Sequence, residues 1–441
     1  MQIRIRRGLD LPLAGEPVQE ITTGSAVGHV AVLGRDTVGL RAAVLVEVGD
    51  RVRLGQPLVA DRREPAWRLT APGTGRVAAI HRGERRALLS VVSELEGDGA
   101  GDPLPLASWS RSPAPARLRE LLIESGLWMA LRTRPYGRPP PPGATPRSIF
   151  VTAIDSEPGA PRPELVIAEQ REAFAAGLRA LAGLTEGAVH VCAAPRAELP
   201  VPDAERVRLA RFAGPHPAGL PGTHIHFLDP VGPGRTVWYV GWPDVLAIGR
   251  LLADGVPWSE RVIALSGPLM RRPRLVRTRA GAALDELLAG ELERAPARVL
   301  SGSVLDGRHA AGPERHLGRF HRQVSAVREA SEEPFTGERF SLSRVFPASW
   351  RPGRRFRLST ARQGAAGPFL PVPAFERVTA LGLLPSPLLA ALLIGDVERA
   401  QALGCLELEE EDLALHTFVC PAKLDYGAAL RRCLEQIERE G

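Results

Sequence analysis

The sequence predicts a multidomain α+β protein: a β domain, then an α/β domain, then a mixed and finally helical region. Three observations predict it. The first hundred residues are rich in Val, Gly and short alternating runs, as in strands joined by tight turns. From residue 148, apolar strand-like runs alternate with longer helical patterns, as in an open, mostly parallel sheet. The chain then closes on Tyr426 to Glu440, which places Leu430, Cys433, Leu434 and Ile437 on one helical face. At 441 residues it is too long for one core, and two to four domains are expected.

In chain order, residues 1–110 form the β domain. Val44 to Leu58 and Thr70 to Val77 read as paired strands with glycine turns, the second carrying an Ala-Pro-Gly-x-Gly-x-Val return. That pattern resembles the barrel-sandwich hybrid fold of biotinyl and lipoyl carrier domains. In carriers a modified lysine sits at the hairpin tip between the two halves. Here Asp61-Arg62-Arg63 stands there, so the resemblance implies the fold without a swinging arm.

Residues 111–147 form a connector, with a short amphipathic helix over Ala116 to Leu131 and a stiff Pro139–Pro142 spacer. Just before the spacer, Trp128, Arg132, Arg134 and Tyr136 interleave aromatic and cationic groups. Such a set either clamps a flat aromatic ligand or anchors one domain on the next. Residues 148–266 form the α/β domain, with strands at 148–154, 188–192, 237–240 and 261–265 and helices at 165–184 and 244–252. The domain is Rossmann-like in its alternation, but no GxGxxG opens any helix, so the dinucleotide fingerprint is missing. Residues 267–310 read as strand, helix, strand. That short module resembles the β-grasp (SLBB-like) unit following the flavin domain in complex I flavoprotein subunits. Residues 311–441 complete the chain as the mixed, then helical, region.

Between two α/β strands lies Gly214-Pro-His-Pro-Ala-Gly-Leu-Pro-Gly-Thr-His-Ile-His226, with a strand-like run from Ile225 to Leu228 after it. Glycine and proline at that density fix turns. His224 and His226, two apart on a strand, would face one side and with His216 offer three imidazoles to zinc. The alternative is a rigid corner whose histidines bond to backbone. No Cys, Asp or Glu completes a familiar ligand spacing, and no metal is expected. Gly214, Gly219 and Gly222 would suit a phosphate cradle. However, Pro215, Pro217 and Pro221 remove N–H donors and no lysine follows, so a degenerate cofactor loop without bound FMN is expected.

Composition narrows the classes. Hydrophobic residues make up 44% and charged residues 24%, as in ordinary globular proteins. A formal charge of +6 permits an acidic partner or an anionic membrane surface. Scattered arginines and only 5% aromatic residues argue against nucleic acid. Cys192, Cys405, Cys420 and Cys433 show no framework spacing and read as free thiols. No apolar stretch follows the N-terminal charges, so no signal peptide is expected. The run from Thr379 to Ile394, broken by Pro385 and Pro387, is too short to cross a bilayer.

Several long motifs carry a specific resemblance. Arg7 to Gly15, Ala78 to Arg86, Glu124 to Tyr136, the 214–226 loop, Pro273 to Thr278 and Asp425-Tyr-Gly427 resemble the A subunits of the sodium-translocating NADH:quinone reductase. The domain order also resembles that of the Rnf complex C subunit, as it does the complex I flavin subunit; both carry flavin and iron–sulfur clusters. Here Glu410, Leu413, His416 and Cys420-Pro421 have a ferredoxin-type spacing with one cysteine, and a cluster ordinarily needs four thiolates.

The resemblance implies a peripheral subunit on the cytoplasmic face of the bacterial inner membrane, docked on membrane subunits within a six-subunit complex. It implies participation in reducing ubiquinone, the substrate, to ubiquinol, coupled to Na+ export. Flavins and iron–sulfur centres would lie in partner subunits, with no covalent cofactor here and no independent activity. The alternative within the family is a scaffold subunit, with quinone bound by a neighbouring membrane subunit. From another class, a free-standing hydrolase or metalloenzyme built on the histidine loop would carry stoichiometric zinc. No catalytic acid–base pair stands out. A quinone needs an apolar slot with a few polar groups. Its candidate walls are the family motifs around Leu33, Gly34, Val38, Gly39, Leu40 and Arg41, and around Trp128, Arg132, Arg134 and Tyr136; the bland reading of the first is a β-turn.

Overall fold

A computed structural model describes residues 1–330, 355–361 and 367–440. The N-terminal β domain is a barrel-sandwich. One sheet joins His29–Leu33, Leu88–Leu95, Gly75–Arg82 and Arg51–Val52; the other joins Ala42–Val44, Pro57–Asp61 and Arg68–Thr70. Alternating inward residues Val52, Leu58, Leu69, Val77 and Val91 fill the space between them. The hairpin tip is organised by buried Asp61, whose carboxylate accepts the backbone N–H groups of Arg41, Arg63 and Glu64.

The α/β sheet runs in the order Gln2–Arg4, Val207–Ala213, Val189–Ala193, Ile149–Ala153, Val237–Gly241, Arg132–Arg134. Its strands are parallel except the last. Both ends differ from the sequence reading. The first residues of the chain leave the β domain to add an edge strand, and Arg132–Arg134, read as connector, is the opposite edge. The expected 165–184 helix is two, Pro163–Glu169 and Arg171–Ala182, which meet at Gln170. The connector helix stops at Glu124, because Gly126 takes a left-handed φ of 76° before a 3-10 turn over Leu127–Ala130.

Two helices on one face, Arg171–Ala182 and Trp242–Asp254, press together through glycines. A Cβ on Gly249 would fall on the backbone of Ala173, and one on Gly177 on the carbonyl of Val245. Gly249→Ala is therefore expected to destabilise the chain by about 1–2 kcal/mol in urea unfolding, because overpacking outweighs the ~1 kcal/mol gain in helix propensity. A stabilised variant would contradict this packing.

The strand Glu260–Ser266, expected in the α/β sheet, instead pairs with Arg274–Arg279 and Gln323–Arg328 in a second six-stranded sheet. Ala297–Ser301, Arg308–His309 and Val18–Thr23 complete it. Val18–Thr23 comes from the N-terminal segment and pairs parallel to Arg274–Arg279. The parallel pairings with Gln323–Arg328 and Val18–Thr23 are long-range, and no local pattern encodes them. The C-terminal region packs Pro373–Val378, Pro385–Ile394, Val397–Ala402, Ala414–Val419 and Tyr426–Glu440 around Phe375, Leu389, Leu430 and Leu434. Among the described residues no helix is long and apolar enough to cross a membrane.

Candidate functional site

The strand after Ile149–Ala153 in sequence, Val189–Ala193, lies to one side of it, while Val237–Gly241 lies to the other. Strand order therefore reverses between Ile149–Ala153 and Val237–Gly241, and a crevice opens beyond their carboxyl ends. Open α/β sheets bind ligands at such a switch point. The turn Gly318 to His321, closed by His321 N–H on the Gly318 carbonyl, covers one side.

Two adjoining clefts meet here, sharing Arg261 and Arg319. The larger holds about 740 Å³ of empty space including its open mouth, between the barrel-sandwich, the connector and the second sheet. Its walls are mainly apolar: Leu33, Leu54, Leu69, Leu127, Trp258 and Leu317. Asp36, Arg68, Arg261 and Arg319 supply polar groups. Asp36 fixes the turn by accepting the Arg319 backbone N–H at 2.8 Å. The Arg319 Nε and Nη2 atoms are buried without a hydrogen-bond partner; the nearest carboxylate, Asp244, is 3.7 Å from Nη2. Unpaired buried donors are rare and call for an acceptor.

The candidate wall residues do not form one surface. Leu33 lines the larger cleft and Arg132 the smaller. Gly34 packs on Leu88 and Gly39 faces the Arg138 guanidinium. Val38 is half-buried and Leu40 packs on the barrel core, while Arg41 is exposed beside the hairpin tip. Trp128 is fully buried: its Nε1–H donates to the Pro140 carbonyl at 2.7 Å and its ring meets Trp238 edge-on at 5.5 Å. Arg134 is also fully buried, donating to Asp412 at 2.8 Å and to the Glu407 carbonyl at 2.6 Å, with Glu409 at 3.5 Å and Glu411 at 3.7 Å. The Tyr136 carbonyl accepts from Arg431 at 2.7 Å. In this arrangement Trp128, Arg134 and Tyr136 join the connector to the sheet and the helical region.

The histidine loop is not built as expected. Pro221–Leu228 is a helix, so the strand-like run from Ile225 is helical, and His224 and His226 point to opposite sides. The physical reason is Pro221: at the first helical position its missing N–H costs nothing and its fixed φ suits a helix start. The three imidazoles diverge. His216 Nδ1 bonds Ser156 Oγ at 3.0 Å. His224 Nε2 bonds the Ala218 carbonyl at 3.0 Å. His226 Nδ1 bonds Glu407 at 2.7 Å. Burial holds His216 down at about 4 and His224 at about 3, so both are neutral. Among the described residues, no His, Cys, Asp or Glu trio is placed to hold a metal ion.

The loop's glycines are filled from within. Gly214 abuts Ile5, Gly219 the backbone of Ser156, and Gly222 the Asp412 carboxylate. Beside the loop, next to His216, burial together with the Asp306 and Asp155 charges pushes Glu157 well above the usual carboxylate range. A flavin phosphate would meet carboxylates and closed backbone there, so these residues do not fit one. At the ferredoxin-spaced positions, Glu410 pairs with Arg431, Leu413 is core, His416 bonds Thr379 and Cys420 accepts from the Tyr426 hydroxyl at 3.2 Å.

Comparison with known proteins decides the family. Residues 3–96 match the NqrA N-terminal barrel-sandwich hybrid domain, 114–257 the NqrA second alpha/beta domain and 262–312 the NQRA C-terminal domain. Over the full length of both chains, this one is 50% identical to the A subunit of the Na(+)-translocating NADH-quinone reductase of Klebsiella pneumoniae strain 342. It is likewise 49% identical to that of Pseudomonas aeruginosa strain UCBPP-PA14 and 48% to that of Shewanella amazonensis. The chain belongs to the NqrA family. Among solved structures, an NAD+-reducing nickel–iron hydrogenase in its air-oxidized state aligns over 74% of this chain and 65% of its own, at 16% identity and a TM-score of 0.40. In this NqrA chain, Trp258, Arg261 and Arg319 are cleft residues that the sequence motifs missed, while Asp36 lies within the Leu33–Arg41 motif. The available signal was Arg319-Phe320-His321-Arg322, which interleaves cation and ring as Trp128 to Tyr136 does.

Proposed function

We propose that this chain serves as the A subunit of a sodium-pumping NADH:ubiquinone oxidoreductase and forms part of the site where ubiquinone is reduced to ubiquinol. The observation that carries the reading is the larger cleft: apolar walls around the buried, unpaired Nε–H and Nη2–H of Arg319. A benzoquinone ring is flat and apolar, with two carbonyl oxygens that accept hydrogen bonds. Leu33, Leu127 and Trp258 would cover its faces, and Arg319 would donate to one carbonyl. As electrons arrive, negative charge develops on that oxygen, and a guanidinium in a water-poor cleft stabilises it more than water would.

The electrons come from flavins and iron–sulfur centres in partner subunits of the six-subunit assembly. The chain docks peripherally on the cytoplasmic side of the membrane subunits. Its +6 formal charge suits acidic partner loops or anionic lipid. The 214–226 loop acts as a packing corner, consistent with its filled glycines.

Arg319→Gln in the assembled complex is expected to raise the KM for a short-chain ubiquinone and lower kcat with it, by about tenfold or more in kcat/KM, since a hydrogen bond to a charged donor is lost. NADH oxidation by an artificial acceptor should be unchanged. Unaltered quinone kinetics in a fully assembled complex would instead leave this chain a scaffold, with quinone bound by a neighbouring subunit.

A further inference from the structure

The smaller cleft has a different chemistry. It lies at the carboxyl end of Val237–Gly241, on the other side of Arg319, with about 450 Å³ of empty space open to solvent. Four guanidiniums line it: Arg132, Arg261, Arg319 and Arg322. Two are held by the protein. Arg261 donates to Asp244 at 3.1 Å, and Arg322 pairs with Asp155 at 2.8 Å. The other two have only longer ion pairs, Arg132 to Glu409 and Arg319 to Asp244, with no hydrogen bond to either carboxylate. Arg132 lies between the rings of Tyr239 and Phe320, 4.5 and 4.3 Å from their centroids, and its nearest carboxylate oxygen, on Glu409, is 3.9 Å away. Arg319 keeps its two buried unpaired N–H groups.

Stacking fixes the plane of a guanidinium while leaving its edge donors free, as a fork for an oxyanion requires. Asp244 is the one carboxylate lining the cleft, and Arg261 and Arg319 share it. Two unused forks flanked by two further cations exceed what one carboxylate satisfies; they match a dianion with three acceptor oxygens. The cleft also faces the start of the helix Trp242–Asp254, whose dipole favours negative charge. There Pro243 withholds one N–H donor, so the arginines are the main attraction.

We propose that this cleft binds the phosphate group of a small anionic ligand, with Arg132 and Arg319 as the forks and Phe320 as the ring that holds Arg132 in place. The phosphate belongs either to a soluble nucleotide or to a lipid headgroup. The site adjoins the proposed quinone cleft and shares Arg319 with it, so it goes beyond that reading, and its test does not depend on quinone.

Calorimetric titration of the full-length chain with inorganic phosphate, pyrophosphate and AMP tests it, alongside flotation with vesicles containing phosphatidic acid. Saturable binding is expected, weakening as salt rises. Arg132→Gln and, separately, Arg319→Gln should each weaken it by about tenfold or more. The Nε and Nη2 atoms of Arg319 have no hydrogen bond within the protein to lose, so its variant remains informative should Arg132→Gln fold poorly. Binding of AMP without vesicle binding identifies a soluble ligand, and the reverse identifies a headgroup. No saturable binding of any probe, or binding unchanged in both folded variants, would overturn the proposal.

Discussion

Arg134→Met is expected to destabilise the protein by about 3–5 kcal/mol, the cost of removing one partner from a buried ion network. Arg134 has no solvent-exposed side-chain surface and stands against Glu409, Glu411 and Asp412 from the helical region, with Arg132 beside it. Glu409 also accepts the Tyr239 hydroxyl at 2.6 Å, which ties the network to the α/β sheet. Without Arg134, three carboxylates face one remaining guanidinium. Their attachment to the strand Arg132–Arg134 ties the sheet edge to the helical region. Urea unfolding of the variant measures the loss. A change under about 1 kcal/mol, the value of an exposed pair, would show that the network is not the buried clamp described here.

The same network carries a proton. Three carboxylates against two guanidiniums leave one negative charge in excess, and burial with the Glu409 and Asp412 charges pushes Glu411 up to about 8, against the pull of Arg132 and Arg134. Groups facing it from the neighbouring elements are Arg132 and Arg134 on the edge strand and Tyr239 on the next strand. The folded value lies above the ordinary 4.5. Below about 4.5 both states hold the proton, and Glu411 costs nothing. Between about 4.5 and 8 the unfolded chain releases it while the folded chain keeps it, so stability falls as pH rises. Above about 8 the penalty is complete. Glu411→Gln mimics the protonated form. It should match the parent in acid and exceed it at pH 9 by on the order of 2–3 kcal/mol, a figure reduced because Glu411 is 18% exposed. A variant no more stable than the parent at pH 9 would contradict the assignment.

The outlines of the fold are legible in the sequence wherever the information is local. Ile149–Ala153 is a short, mostly apolar run buried at every position, and Tyr426–Glu440 follows Asp425 and keeps one apolar face to its end. What is not legible is non-local. Nothing in Gln2–Arg4 or Val18–Thr23 says that they add edges to two different sheets, or that Glu260–Ser266 changes sheet. The 214–226 segment misleads for a specific reason: Pro221 and Gly222 suggest a turn, yet proline is well placed at a helix start.

The site is legible in part. Cations beside aromatic rings mark Trp128 to Tyr136 in sequence. Only the fold separates their roles, burying Trp128 and Arg134 while laying Arg132 along an open cleft. Arg319 is marked only by the cation–ring pattern of Arg319 to Arg322, because the groups it meets, Asp36 and Asp244, are distant in sequence.

The most direct test of the proposed quinone cleft is fluorescence titration of the purified chain with short-chain ubiquinone, comparing the parent with Trp258→Phe and Arg319→Gln. A quinone against Trp258 should quench saturably. Trp258→Phe should lose most of that quench while keeping affinity, and Arg319→Gln should keep the quench and shift its midpoint upward by about tenfold. Linear, non-saturating quench that is the same in all three proteins would contradict the account.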